Sequence, residues 1–275
     1  MSTHDSPLFV QSLAAGLSVL DAFTKERPSM NLRELAEAAG VTKSAAQRFT
    51  HTLVELGLLR KDATSKRFSL SVRALDVGCR YLQSNVLLER ANPYLLELNR
   101  HLGETVNLAE PDGHDMVYIG RFPSLHRAVV HMPVGRRLPI FCSSTGRAYL
   151  SGLPDEEILE ALSGMERVKF TPHTVTDLNA LMDMILKVRE TGYAYSTEEF
   201  YLHDLTFAAP ILNIWGAPVA SLNVSVSTAF WTIEKAIEEL VPKLIHTATL
   251  ISTTPPTMRA LAPFQIGYGK IKNNS

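Results

Sequence analysis

LRELAEAAGVTKSAAQRFTHTLVELGLL, residues 32–59, decides the fold of the N-terminal part of this chain. Leu32, Leu35, Ala36 and Ala39 recur at i, i+3, i+4 and i+7, which predicts a short helix. Gly40 ends it, because glycine readily takes the left-handed conformation that follows a helix. Thr42 is a natural N-cap for a second helix carrying an apolar stripe of Ala46, Phe49, Leu53 and Leu56. Ser44, Gln47, Arg48 and His51 share another face, with Lys43 beside them. Helix, tight turn and second helix with a polar outer face make a helix-turn-helix. Upstream, Leu13, Leu17 and Leu20 predict a further helix over 10–24, broken before Pro28-Ser29. Downstream, Gly57 closes the helix, Leu58-Leu59 start a strand, residues 62–65 turn, and Phe68 and Leu70 alternate on the way back. The hairpin carries Lys61, Lys66 and Arg67 at its tip and reads as the wing of a winged helix-turn-helix.

The chemistry of those side chains points to DNA. Gln and Arg can make bidentate contacts with base edges in the major groove, while Lys and Ser can hold phosphates. Gln47 and Arg48 are therefore the candidate base readers, Lys43, Ser44, Lys66 and Arg67 the candidate phosphate contacts, and His51 shares the recognition face. Charge agrees with this placement. Residues 40–80 hold eight bases against three acids, a local balance of +5, whereas the whole chain of 275 residues has a formal net charge of −1. A solvated surface without a DNA role, or a plain three-helix packing unit, is the alternative reading of each signal by itself.

Composition sets the outer limits. Hydrophobic residues make up 45% and charged residues 20%, an ordinary globular balance, and the length suits about two domains. Cys79 and Cys142 cannot build a disulfide framework. Cys79 reads as a buried small hydrophobe. Residues 1–7 are polar and lack a signal-peptide core, and no run approaches the ~20 apolar residues of a membrane span, so a cytoplasmic protein with no membrane contact is expected. The expected organisation is a winged helix-turn-helix over 8–70, a connecting helix over 71–84 whose apolar side suits a dimer contact, an α+β domain over 85–252, and an irregular tail over 253–275.

In the second domain a helix is expected over 86–101 and strands over 105–109, 116–121, 128–131, 193–196, 206–211 and 219–226. Helices are expected over 144–151, 155–163 and 177–191, with a single closing helix over 233–252. Helices flanking a mostly antiparallel sheet give an α+β fold. Catalytic signatures are missing: there is no G-x-S-x-G elbow, P-loop, G-x-G-x-x-G after a strand, or HExxH. No cofactor is implied. His126 and His131 lie five apart and read as surface or pocket histidines rather than metal ligands. Glu198-Glu199 are adjacent on a strand and so face opposite ways. A binding signal remains. Ser143, Ser144 and Thr145 stand at a helix start, where free N–H groups favour an anion such as a carboxylate. Ser196, Thr206, Asn223 and Ser225 are polar positions in strands that should be half buried, and they need partners from the protein or from a ligand.

At this point the chain resembles the IclR family of bacterial transcriptional regulators, over residues 10–252. The likeness is carried by Leu32-Arg33-Glu34-Leu35-Ala36, Gly57-Leu58-Leu59, Gly103-Glu104-Thr105-Val106-Asn107-Leu108, Val134-Gly135-Arg136-Arg137-Leu138-Pro139, Thr145-Gly146-Arg147-Ala148 and Arg189-Glu190-Thr191-Gly192-Tyr193-Ala194. The stretch Cys142-Ser143-Ser144-Thr145-Gly146-Arg147 is most similar to the branch that senses hydroxybenzoate- and protocatechuate-like aromatic acids. The resemblance implies a GAF/PAS-like effector domain and a homodimer or homotetramer on a palindromic operator in double-stranded DNA. It implies a small organic acid, aromatic in this branch, held by Arg127, Val130, Leu138, Ser144, Thr145, Ser196, Thr206, Asn223 and Ser225. Arg127 suits a bidentate carboxylate contact. The chain departs from the pattern at His203, where glycine is usual, and at Thr206, where Cys or Ser is usual. His203 is accordingly a candidate reader of a ligand hydroxyl or carboxylate, or else a surface loop residue. The expected function is a regulator without enzymatic activity whose effector alters operator binding. Two alternatives are an enzyme fused to a DNA-binding head, using residues 143–145 with His126 or His131, and a purely protein-binding module.

Overall fold

The computed structural model describes residues 6–125 and 133–252, so Arg127, Val130, His126, His131, the strand expected over 128–131 and the tail over 253–275 lie outside the described residues. The described residues form two compact units, with the division between Ser84 and Asn85.

In the first unit, α1 (Gln11–Asp21), α2 (Leu32–Ala38) and α3 (Lys43–Glu55) pack with a hairpin of β1 (Leu59–Lys61) and β2 (Phe68–Leu70). Local chemistry sets each boundary. The Asn31 side chain accepts from the Arg33 and Glu34 amides, and the Glu34 carboxylate accepts from the Asn31 amide, a reciprocal capping box at the start of α2. Gly40, at φ 65°, turns the chain out of that helix, and Thr42 Oγ1 accepts from the Ala45 amide 3.2 Å away to start the next. Val19, Leu35, Leu53, Leu59 and Phe68 make the core. Met30 exchanges two backbone hydrogen bonds with Phe68, which ties the loop before α2 to the hairpin.

Three expectations fail in this unit. The first helix stops at Asp21 rather than at 24, because Thr24 and Arg27 bond to each other across a tight turn. Leu56 is exposed at the α3 C-cap, and Thr50 takes the inward position, its hydroxyl donating to the Ala46 carbonyl at 2.8 Å. Residues 72–74 form a short 3-10 turn and α4 spans Leu75–Ser84, but α4 buries none of its residues, so Cys79 is exposed and not the buried hydrophobe expected. Val72, Leu75, Val77 and Tyr81 are exposed along the same stretch.

The second unit is an antiparallel sheet with helices on both faces. Among the described residues the strand order is β5-β4-β3-β8-β7-β6, formed by β3 (Thr105–Asp112), β4 (Asp115–Phe122), β5 (Arg137–Pro139), β6 (Ala194–Thr197), β7 (Asp204–Leu212) and β8 (Pro218–Ser227). On one face lies α5 (Val86–Leu102), started by the Asn85 cap, together with α10 (Val241–Ile251). Gly120 lets α5 approach closely: a Cβ there would stand 2.9 Å from Leu88 Cδ1. The other face is covered by α6 (Ser144–Leu150), which packs on α8 (Leu178–Thr191); α7 (Asp155–Ser163) packs on α8 in turn. The closing helix is two helices, α9 (Ile233–Glu239) and α10. Pro242, at the start of α10, has no amide to offer the preceding turn and its ring crowds the carbonyl four residues back. β5 was not legible in the sequence. It has three residues and exists only by pairing with β4.

Candidate functional site

The first candidate surface is α3. Lys43, Ser44, Gln47, Arg48 and His51 are all exposed, and they share a face because Ala46, Thr50 and Leu53 are spent on the core. Among the described residues no hydrogen bond or ion pair engages the side chains of these five; outside the helix's own backbone ladder, only the Gln47 and Arg48 carbonyls accept, from the Thr50 and Thr52 hydroxyls. The hairpin tip is less uniform. Lys66 is exposed at φ 58°, in a turn organised by Asp62, whose carboxylate accepts from the Ser65 amide at 2.7 Å. Lys61 lies over the Phe68 ring, 5.3 Å from its centroid. Arg67 turns inward, donating to the Glu34 carboxylate at 2.7 Å and the Ser29 carbonyl at 2.6 Å. It therefore ties the wing to α2 and is not displayed at the tip.

The second candidate is a pocket on the α6 face of the sheet. The register places Ser196, Thr206, Ser225 and Thr105 side by side across β6, β7, β8 and β3. Ala208, Asn223, Asn107 and Arg121 form the next row. Over this polar face, α6 is anchored by side chains: Ser196 Oγ donates to the Cys142 carbonyl at 3.0 Å, Ser144 Oγ to Thr206 Oγ1 at 2.9 Å, and Ser221 Oγ to the Thr145 carbonyl at 2.8 Å. The pocket encloses ≈ 340 Å³ with its open mouth included, of which ≈ 20 Å³ accepts the centre of a water-sized molecule. At about 10–15 Å³ for each water, its closed depth fits one small polar group.

Five of the sequence-predicted residues line this pocket: Leu138, Ser144, Thr145, Ser196 and Thr206. Asn223 is wholly buried behind it, its amide 3.5 Å from the Tyr118 hydroxyl, and Ser225 donates to Asp204 at 2.6 Å. His203 is not in the lining. At φ 65° its ring projects outward, 71% exposed, with Nδ1 3.5 Å from Glu198. The anion reading of the α6 start is weakened as well, because Ser143 Oγ already accepts from the Gly146 amide.

Sequence reasoning missed the charged and phenolic groups. Glu198, Glu199 and Asp204 line the pocket with Tyr118, and no Lys, Arg or His is among the described lining residues. Two of these carboxylates are occupied. Glu199 is clamped by Arg147 at 2.6 and 2.7 Å, both residues being essentially inaccessible. The same guanidinium donates to the Phe141 and Tyr195 carbonyls, so the pair is fully bonded. Glu198 accepts from the His203 amide at 2.7 Å, the chief reason its carboxyl sits below the usual range. Asp204 is different. Burial pushes it up to about 6, against the hydrogen bond from Ser225 and the charge of Arg121. Burial also raises the Tyr118 hydroxyl, helped by Asp204, and lifts the Cys142 thiol to about 12, so both keep their protons at neutral pH. Desolvation lowers Arg121, whose guanidinium donates to Asn107 Oδ1 at 2.9 Å.

The Asp204 shift has a measurable consequence. Its folded-state value lies above the ordinary 3.8, so the folded chain holds this proton more tightly than the unfolded chain. Stability from this group is greatest below pH 4 and falls as pH rises towards about 6. Asp204→Asn should therefore stabilise the protein at pH 7.5 by about 2–3 kcal/mol and flatten the pH 4–7 limb of a melting-temperature profile. A profile unchanged by the substitution would show that Asp204 ionises without cost.

No hydroxyl of the α6 start meets a base. Ser143 donates to the Pro139 carbonyl, Ser144 to Thr206 and Thr145 to Ser143, and none is bonded to a described His, Asp or Glu. Among the described residues there is no group of three or more His, Cys, Asp or Glu able to hold a metal, and no helix long and apolar enough to cross a membrane.

The IclR helix-turn-helix domain matches residues 12–63, and the C-terminal domain of the bacterial transcriptional regulator IclR matches residues 79–253. The chain belongs to the IclR family. It is 31% identical over 240 residues to the Pca regulon regulatory protein of Pseudomonas putida, covering 87% of this chain and 82% of that one. It is 32% identical over 245 residues to the p-hydroxybenzoate hydroxylase transcriptional activator of Acinetobacter baylyi, covering 87% and 90%. The crystal structure of a transcriptional regulator from Rhodococcus sp. RHA1 superposes with a TM-score of 0.78 at 36% identity, covering 88% and 97%. This IclR-family chain is thus a DNA-binding transcriptional regulator with an effector domain, and not an enzyme. That settles the choice against an enzyme fused to a DNA-binding head.

Proposed function

We propose that this IclR-family regulator responds to a small organic acid, aromatic in class, and controls genes for the breakdown of such acids from the cytoplasm. The observation that carries the reading is the roofed polar pocket, in which Ser144 of α6 is bonded to Thr206 of the sheet. A ligand seated there must separate or rebond that contact, because the closed depth is too small for an aromatic ring. The name of the Acinetobacter relative supports the aromatic class. Motif likeness assigns Arg127 to the carboxylate.

The domain division follows the same reading: 8–70 binds operator DNA, 71–84 connects, and 85–252 binds effector and assembles the oligomer. The exposed apolar residues of α4 suit a homodimer, and a palindromic operator follows from two-fold pairing of the recognition helices. The acid acts by favouring one arrangement of the subunits over another. A thermal-shift screen of aromatic and aliphatic acids tests the site, since a specific ligand raises the melting temperature with occupancy. Failure of every acid to do so would contradict the reading.

In the DNA-binding unit, Gln47 and Arg48 read bases, Lys43, Ser44 and Lys66 hold phosphate, and His51 borders the groove. Arg67 serves first as the brace to Glu34. The double substitution Gln47→Ala, Arg48→Ala should lower the ratio of operator to random-sequence affinity by about 10- to 100-fold or more. A footprint at unaltered affinity would remove both residues from base readout.

A further inference from the structure

Three carboxylates line the described pocket, and the structure distinguishes them sharply. Glu199 is neutralised by Arg147, and Glu198 accepts from the His203 amide and the Thr228 hydroxyl, with the His203 ring beside it. Asp204 is the remaining one. It sits at the first residue of β7 on the same face as Thr206, and one carboxylate oxygen accepts from Ser225 Oγ at 2.6 Å. No described donor reaches its other oxygen. Behind it, Asn223 is 0% exposed and spends its amide on Tyr118, so that Oδ1 has no hydrogen-bond partner. Tyr118 lines the same pocket and accepts that bond, which leaves its own O–H to donate.

The local inventory is therefore an ionisable carboxylate needing a donor, a buried amide oxygen needing a donor, and a phenol able to donate once. Arg121 acts on Asp204 through its charge, but it is not among the described lining residues and donates to Asn107 Oδ1, so a carboxylate entering here would meet Asp204 first, and like charges at close range repel strongly in a poorly solvated site. A hydroxyl meets two of the three, donating to Asp204 and accepting from Tyr118. We infer that the end of the effector that enters this pocket is a hydroxyl, that Asp204 accepts its proton in a hydrogen bond, and that the effector's carboxylate points away from Asp204. Asp204 is accordingly a specificity-determining residue that rejects the parent acid lacking the hydroxyl.

The inference rests on the effector reading of this pocket, and the test separates the two. Affinities of the full chain are measured by titration calorimetry for 4-hydroxybenzoate, 3-hydroxybenzoate, benzoate and 4-fluorobenzoate, and for glycerate against propionate. The hydroxylated member of the binding series should be favoured about tenfold or more, because leaving a site built for a hydroxyl unpaired is costly. 4-Fluorobenzoate, which has no proton to donate, should behave as benzoate does. Asp204→Leu should reduce the preference to below about threefold while leaving the deoxy acid bound at least as well. Asp204→Asn, which keeps the shape of the side chain and is the fallback should the leucine variant misfold, should reduce it at least about threefold. Equal wild-type affinity for hydroxylated and deoxy acids, or a preference untouched by both substitutions, overturns the role of Asp204 and leaves the effector site standing. Binding of none of the acids overturns the effector reading and this inference with it.

Discussion

Glu199→Ala is expected to destabilise the effector domain by about 3–5 kcal/mol. The carboxylate removed is the bidentate partner of Arg147 at 2.6 and 2.7 Å, with the guanidinium 1% exposed. Without it a full positive charge is left inside the protein with two backbone carbonyls for company. Glu199 also accepts from the Val175 amide at 3.1 Å, and its backbone carbonyl accepts from Thr174 Oγ1 at 2.6 Å. The substitution therefore loosens the 171–175 loop together with the α6 start. Arg147→Ala should cost a similar amount for the mirror-image reason, an uncompensated buried carboxylate. Replacing both by residues of matched apolar volume should recover much of the loss, because the pair's worth lies mostly in its being complete. Urea unfolding followed by circular dichroism measures all three variants. Single substitutions that cost less than about 1 kcal/mol would mean that water reaches the site.

Gly146→Ala is the second large effect, and its cause is steric. Gly146 sits in the first turn of α6, and a Cβ there would stand 1.9 Å from the Ile140 carbonyl oxygen, 2.5 Å from its carbon and 2.6 Å from its Cα. All three atoms are backbone, so no side-chain rotation relieves the clash. Overpacking commonly costs about 1–3 kcal/mol, and a contact this short against main chain belongs at or beyond the upper end. The shift must pass through the Ser143 cap and the Ser144–Thr206 contact, so acid binding should fall at least tenfold even where the variant folds. Thermal unfolding and titration with a bound acid read the two effects separately. A variant with wild-type stability and affinity would show that the α6 turn can move without consequence.

How far the sequence could be read depends on the range of the interactions involved. The helix-turn-helix was legible because its signals are local: the 32–39 periodicity, Gly40, and the Thr42 cap lie within a dozen residues. Leu56 misled because periodicity cannot tell where a helix stops needing a buried face. Cys79 misled because its type is usually buried, whereas α4 buries none of its residues. The pocket's hydroxyl-bearing residues were legible as polar positions in apolar strands. Its charges were not. Arg147 and Glu199 are separated by 52 residues and meet only when α6 lies on the sheet, so Glu199 read as half of an adjacent acidic pair. Asp204 fell outside the strand expected over 206–211, whereas β7 begins at Asp204. Arg67 showed the opposite error: a basic residue at a hairpin tip reads as displayed, yet its partner Glu34 lies 33 residues away on α2.

Occupancy of the distal pocket is expected to change the grip of the recognition helices on duplex DNA. The direct measurement is the affinity of the full chain for a duplex it selects from random-sequence DNA, at one stated salt concentration, with and without an acid that raises its melting temperature. A shift of about 5- to 150-fold in either direction is expected, the usual range of coupling between two sites. An operator affinity that stays the same with the pocket saturated would contradict it.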